Sequence, residues 1–245
     1  MKTRQFFITL VVATLLTSSY SYSQEQTIRG NGQVIKQQLS VGAYDIVNSA
    51  GIFEVQLVPG PEGEIQVSTE SNFGDYIEIL NEDKQLTIRV KRGYQLRPSN
   101  NHKIVVTVPV EHISGLSLAG SGLIQTQQPL QAEDLKISLA GSGTLQLDLK
   151  AKHVEASLAG SGKMIFSGAT DTLKLSTAGS GKAQIHKLIS KTSEISVAGS
   201  GSANVHCTDF LKARVAGSGK ITYSGSPNQK DIKVTGSGSI QEAKL

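Results

Sequence analysis

The 245 residues of this chain include no tryptophan, one cysteine, six phenylalanines and six tyrosines. The single thiol, Cys207, rules out an internal disulfide, so an exported fold has to rest on burial and backbone pairing alone. Few aromatics means few exposed ring platforms of the kind that often receive sugar rings. Lysine and arginine form no run: the net charge of +4 is scattered among carboxylates, without the contiguous basic stretch that marks many nucleic-acid binders. Long apolar runs are also missing. The longest, Phe6 to Leu16, is too short to span a bilayer, and no helix of ordinary length is visible after it. No calcium nonapeptide, phosphate loop or nucleophile elbow occurs. The glycine strings both follow and precede strands, a context that excludes a dinucleotide fingerprint.

Residues 1–23 read as a secretory signal peptide: Lys2 and Arg4, the apolar run, then Ser21-Tyr22-Ser23 as a small-x-small cleavage site before Gln24. Losing Lys2 and Arg4 takes the charge from +4 to about +2, because no acidic residue precedes Glu25. The residue directly after the cleavage site is Gln24 and not a cysteine, which argues against a lipid-anchored form. The expected location is exported: periplasm, outer cell surface or extracellular.

Glycine is abundant. Gly-Ser-Gly occurs seven times, starting at Gly120, Gly141, Gly160, Gly179, Gly199, Gly217 and Gly236, at intervals of 18 to 21 residues. Near-constant spacing signals a stacked repeat. Counting from the first Gly, position −4 holds Leu116, Ile137, Ala156, Leu175, Ile195, Ala213 and Ile232. Position −2 holds Leu118, Leu139, Leu158, Thr177, Val197, Val215 and Val234, and apolar residues resume at +4 and +6. Period-two alternation on both sides of the glycines predicts strands with one buried face.

The polar columns predict how coils meet. At −5, Lys136, Glu155, Lys174, Glu194, Lys212 and Asp231 alternate in sign, as expected of side chains stacked along a solenoid axis. A serine column at −3 (Ser117, Ser138, Ser157, Ser176, Ser196) and a mostly amide column at +5 (Gln125, Gln146, Gln184, Asn204, Gln241) are expected to hydrogen-bond to their own copies in neighbouring coils. The predicted fold is all-β: a right-handed parallel β-helix (β-solenoid) of about seven coils over residues 113–245, each coil giving two or three short strands and a loop. Residues 24–112 are expected to be an N-terminal β-rich segment or cap, either a cover for the first open edge or wider coils continuous with the solenoid, with strands near 44–47, 52–58, 64–68, 76–80, 85–91 and 103–108.

Candidate chemistry is sparse. Carboxylates fall on the ladder or in expected loops at Glu133-Asp134, Asp171 and Asp209, giving no clustered pair for a glycosidase or lyase. His186 and His206 share position +7 and are expected within about 5 Å of each other in a regular stack, yet no third or fourth ligand stands nearby. Cys207 has the parity of the core. No cofactor and no metal is expected.

The strings Leu118-Ala119-Gly120-Ser121-Gly122 and Leu139-Ala140-Gly141-Ser142-Gly143, behind a segment with Gly30-Asn31-Gly32 and Gly51-Ile52-Phe53, resemble a bacterial family of exported proteins. It is the putative autotransporter adhesin head GIN domain family. The resemblance spans nearly the whole mature chain and implies a β-solenoid at or beyond a Gram-negative cell envelope. It carries over no catalytic residue, and the chain departs from an autotransporter in having no recognisable membrane-anchor segment.

The expected function is non-enzymatic: an adhesin-like or scaffolding envelope protein that binds a protein partner or itself. The candidate face is Ser138, Ala140, Ser142, Ser157, Ala159, Ser161, Ser176, Ala178 and Ser180, all pointing outward if the alternation continues through the tripeptide. The alternatives are a binder of extended polysaccharide and, more remotely, a polysaccharide-acting enzyme or an ice-ordering surface.

Overall fold

The computed structural model describes residues 25–243; the signal peptide expected at 1–23 lies outside them. Nine strands precede the repeats: β1 (Gln26–Arg29), β2 (Val34–Ser40), β3 (Ile46–Gly51), β4 (Glu54–Pro59), β5 (Glu64–Glu70), β6 (Ile77–Glu82), β7 (Gln85–Val90), β8 (Tyr94–Arg97) and β9 (Val105–Val110). The repeats carry β10 (Gly115–Gly120), β11 (Leu123–Thr126), β12 (Leu130–Gly141), β13 (Thr144–Gly160), β14 (Lys163–Gly179), β15 (Lys182–Gly199), β16 (Ser202–Gly217), β17 (Lys220–Ser224), β18 (Gln229–Thr235) and β19 (Ser239–Glu242). Seventeen strands form one sheet wound into a parallel β-solenoid of about seven turns.

The inward columns meet in register. Ile137, Ala156, Leu175, Ile195 and Ala213 are successive partners, as are Leu139, Leu158, Thr177, Val197 and Val215. All are buried, and each large aliphatic side chain so placed contributes about 1.5–3 kcal/mol. Thr177 is the polar exception. It is 1% exposed and its Oγ1 has no hydrogen-bond partner. The strands are longer than expected: β13 runs 17 residues and β15 runs 18 without a loop, because backbone pairing continues around the bends.

Gly-Ser-Gly forms the bend. The first glycine of every tripeptide has φ between 103° and 116°, a region that L side chains rarely adopt. At Gly160 a Cβ would also lie 2.6 Å from the carbonyl oxygen of Gly141, one coil away. Close approach lets hydrogen bonding pass through the corner: Ser161 N–H donates to the Gly141 carbonyl (3.0 Å) and Lys163 N–H to the Gly143 carbonyl (2.9 Å).

The column does not begin with the first tripeptide. Gly51 is the register partner of Gly120, so β3 and β4, joined by Gly51-Ile52-Phe53, make a further coil of the same stack. On its other side lie β7, parallel to β3, and β9, parallel to β4. Antiparallel strands then cover that end, β6 on β7, β5 on β9 and β2 on β5, while β1 and β8 form a separate parallel pair. At the opposite end Ile232 and Val234 are 42% and 40% exposed. Lys230 there reaches Glu242 (3.7 Å) and lies 5.4 Å from the Tyr223 ring centre.

One carboxylate fastens the covered end. Glu70, 1% exposed in its side chain, accepts from Gly32 N–H (2.6 Å), Ser99 N–H (3.0 Å) and Ser99 Oγ (2.5 Å), with His102 Nδ1 at 3.6 Å. Burial pushes its pKa up, but the bonds from Ser99 and Gly32, with the His102 ring close by, outweigh that and hold it below the usual range. A carboxyl depressed on folding adds stability above its unfolded pKa, and that stability is lost as pH falls through the folded value. Stability should therefore decline below about pH 4, and less steeply in Glu70→Gln, as read by urea midpoints across pH. At neutral pH, Gly160→Ala should cost about 2–3 kcal/mol. The exposed neighbour change Ser161→Ala should stay within about 0.5 kcal/mol, and Thr177→Val should gain about 1 kcal/mol by removing an unpaired hydroxyl. The same denaturation curves check all three.

Candidate interaction face

On the outer surface of the wall that ends at the bend, Ala140, Ser142, Ser157, Ala159, Ser161, Ser176, Ala178 and Ser180 are exposed and Ser138 is half-buried. Stacking turns these into rows. Ala50, Ala119, Ala140, Ala159, Ala178, Ala198 and Ala216 are partners from strand to strand, a line about 29 Å long at the usual strand spacing. Beside it run Ser117, Ser138, Ser157, Ser176 and Ser196. The bonds expected within the serine and amide columns do not form among the described residues. Gln125 Nε2 instead donates to Glu54 (3.4 Å), and the serine hydroxyls of the −3 column make no bond to another described residue.

The charge ladder borders this face. Lys174 pairs with Glu155 at 2.9 Å and Lys212 with Glu194 at 2.7 Å, while Asp231 is taken by Arg214 of the −3 column. Hydrogen bonding from Lys174 holds the Glu155 carboxyl low, Lys212 does the same for Glu194, and Glu155 in turn raises the Lys174 ammonium. Lys136 is left without a carboxylate in contact, because its neighbour on the other side is Gly115. The side chain missing there opens a notch of about 340 Å³, lined by Ile46, Asn48, Ser117, Lys136, Ser138 and Ser157 among others.

A second ladder emerges at −8. Glu133 pairs with Lys152 (2.5 Å) and Asp171 with Lys191 (2.7 Å), all in strands rather than in the loops expected for these acids; Asp209 also lies in a strand, β16. Lysine contact lowers both carboxyls. Its sequence signal, opposite charges at one fixed offset, is the same as at −5, but the apolar residues flanking −8 are less regular. Along it runs a groove of about 600 Å³ whose lining includes Ala132, Ala151, Ala169 and Ile189.

His186 and His206 are not register partners. A bulge after Ile185 sets Ile189 opposite His206, whose Nδ1 meets Ser224 Oγ at 3.0 Å. Cys207 is fully buried, its one S–H within reach of the Phe210 carbonyl (3.1 Å) and the Lys191 carbonyl (3.3 Å).

The family model of the putative auto-transporter adhesin, head GIN domain, matches residues 43–227, which take in the Gly51-Ile52-Phe53 coil and six of the seven Gly-Ser-Gly bends. The chain belongs to this family. No curated protein matches this head GIN domain protein. Among solved structures it is similar to a putative adhesin from Bacteroides fragilis, with TM-score 0.81 and 20% identity over 88% of this chain and 100% of that one. A putative lipid binding protein from Parabacteroides distasonis gives TM-score 0.73 and 25% identity over 89% and 100%. A putative adhesin from Parabacteroides merdae gives 0.70 and 23% over 89% and 100%. At 20% and 23% identity the two adhesins bear on the fold alone.

Lys174→Glu would place a carboxylate between Glu155 and Glu194. It should lower the melting temperature at low ionic strength, with the deficit shrinking in molar salt as exposed charges are screened.

Proposed function

We propose that this head GIN domain protein is a non-enzymatic, exported cell-envelope protein, adhesive or scaffolding, that docks a protein partner on its Ser and Ala face. The observation that carries this reading is the uninterrupted outward row of seven alanines, Ala50 to Ala216, flanked by serines and bordered by a self-neutralised ladder. Such a surface has little side-chain entropy to lose and few tightly hydrated groups to strip, so another flat protein surface can approach it closely. The notch beside Lys136 offers a pocket where one projecting side chain could anchor.

A hydrolytic role has less support. Glycoside chemistry needs two or three carboxylates converging on one bond, whereas Glu133, Glu155, Asp171 and Glu194 each lie within 3 Å of a lysine. Export is supported by the reading of residues 1–23 and by the adhesin family. A pull-down from intact cells with the exported protein would identify the partner and its compartment together.

The double variant Ala159→Arg/Ala178→Arg puts two long charged side chains in mid-row. It should keep the wild-type circular dichroism spectrum and melting temperature while losing partner capture and self-association. Unchanged capture and unchanged sedimentation behaviour would overturn the reading.

A further inference from the structure

Beyond the bend, the wall that follows each tripeptide carries a third charged column, of another kind. Its outward position +3 reads Glu54, Leu123, Thr144, Lys163, Lys182, Ser202, Lys220 and Ser239 from coil to coil. Lys163 and Lys182 are direct partners, and Lys182 and Lys220 flank Ser202. Among the described residues none of these three lysines is within ion-pair distance of a carboxylate. Glu54, three coils from Lys163, is held by Lys103 at 2.7 Å. Asp148 lies four residues along the strand from Thr144, the partner of Lys163, which is about 13 Å at strand rise.

Like charges placed directly opposite on neighbouring strands are destabilising, and the −5 and −8 ladders both avoid them by alternating sign. The +3 column does the reverse. We propose that it is a binding site for an acidic polysaccharide lying along the solenoid axis. The ammonium groups repeat at about 4.8 Å and about 9.6 Å, the scale on which acidic groups recur along a glycan charged at every sugar or every second one. Gln184, Asn204 and Thr222, half-buried outward neighbours of Lys182, Ser202 and Lys220, supply donors and acceptors for sugar hydroxyls. Single-stranded nucleic acid fits less well, since Phe166 and Tyr223 on this wall are buried and leave no ring on which a base could stack.

The purified full chain is titrated with polygalacturonate, dextran sulfate, neutral dextran, a single-stranded oligodeoxynucleotide and phosphatidylglycerol vesicles. Binding is expected to one or both acidic polysaccharides, which distinguishes carboxylate from sulfate recognition, to weaken with added salt, and to be missing for neutral dextran. Lys163→Gln/Lys182→Gln/Lys220→Gln should lose on the order of tenfold in affinity with a melting temperature equal to or above wild type. The corresponding triple arginine variant should retain binding, and Lys174→Gln/Lys212→Gln on the −5 ladder should change affinity by less than about twofold. No binding to either acidic polysaccharide, an equal loss in both glutamine variants, or a preference for the oligonucleotide or the vesicles would each overturn the proposal. Ala159→Arg/Ala178→Arg lies across the bend and should leave polysaccharide binding intact, so this site and the protein-docking face fail independently.

Discussion

The structure depends on backbone passing directly over backbone at a corner. At each bend a glycine carbonyl accepts a hydrogen bond from the coil beside it, and a Cβ on the next glycine would stand in that path. Two requirements converge on one residue type: a positive φ and an unoccupied Cβ position. Once the corner is so fixed, strands on either side cannot slip, since a shift of one residue would turn every inward aliphatic outward. The corner therefore sets the register, and the register sets everything that is read in columns.

Columns are what this fold makes out of a scattered sequence. Residues 18 to 21 apart become neighbours at strand spacing, so properties distributed along the chain are concentrated on walls. The −5 and −8 ladders neutralise themselves, the Ala and Ser rows carry no charge, and the +3 row concentrates three lysines that no linear run reveals. Local composition is thus a poor guide to surface chemistry here, and offset from the bend is a better one.

The inward set was legible in the sequence because burial imposes strict parity: Ile137, Leu139 and Leu145 have no alternative to facing in. The −5 ladder was legible for the same reason, since it stands next to a core column. Gly51-Ile52-Phe53 escaped recognition as a corner because it lacks the second glycine and precedes Gly120 by 69 residues. The His186 and His206 relation failed because register after Ile185 is set by a bulge, and the fixed offset counts residues without seeing one inserted. A loop was expected at Asp171, whereas the strand continues through it from Lys163 to Gly179. Among the face residues, outward placement followed from parity; what they bind is a matter of surface chemistry that parity does not encode.

The coil encoded first, β3 and β4, lies inside the stack, with β7 and β9 on one side and β10 and β11 on the other. From that interior coil, β5 to β9 build one end and close it, with β1 and β2 packed there as well, and β10 then crosses back to extend the stack the other way. Assembly cannot be simple addition from one terminus. A seed with two faces must wait for residues as far as 126 before both are satisfied, and only from there does growth become local, one coil per repeat. For a chain threaded outward from its N-terminus, the costly long-range closures all fall in the first half, and the later coils add onto a template already complete.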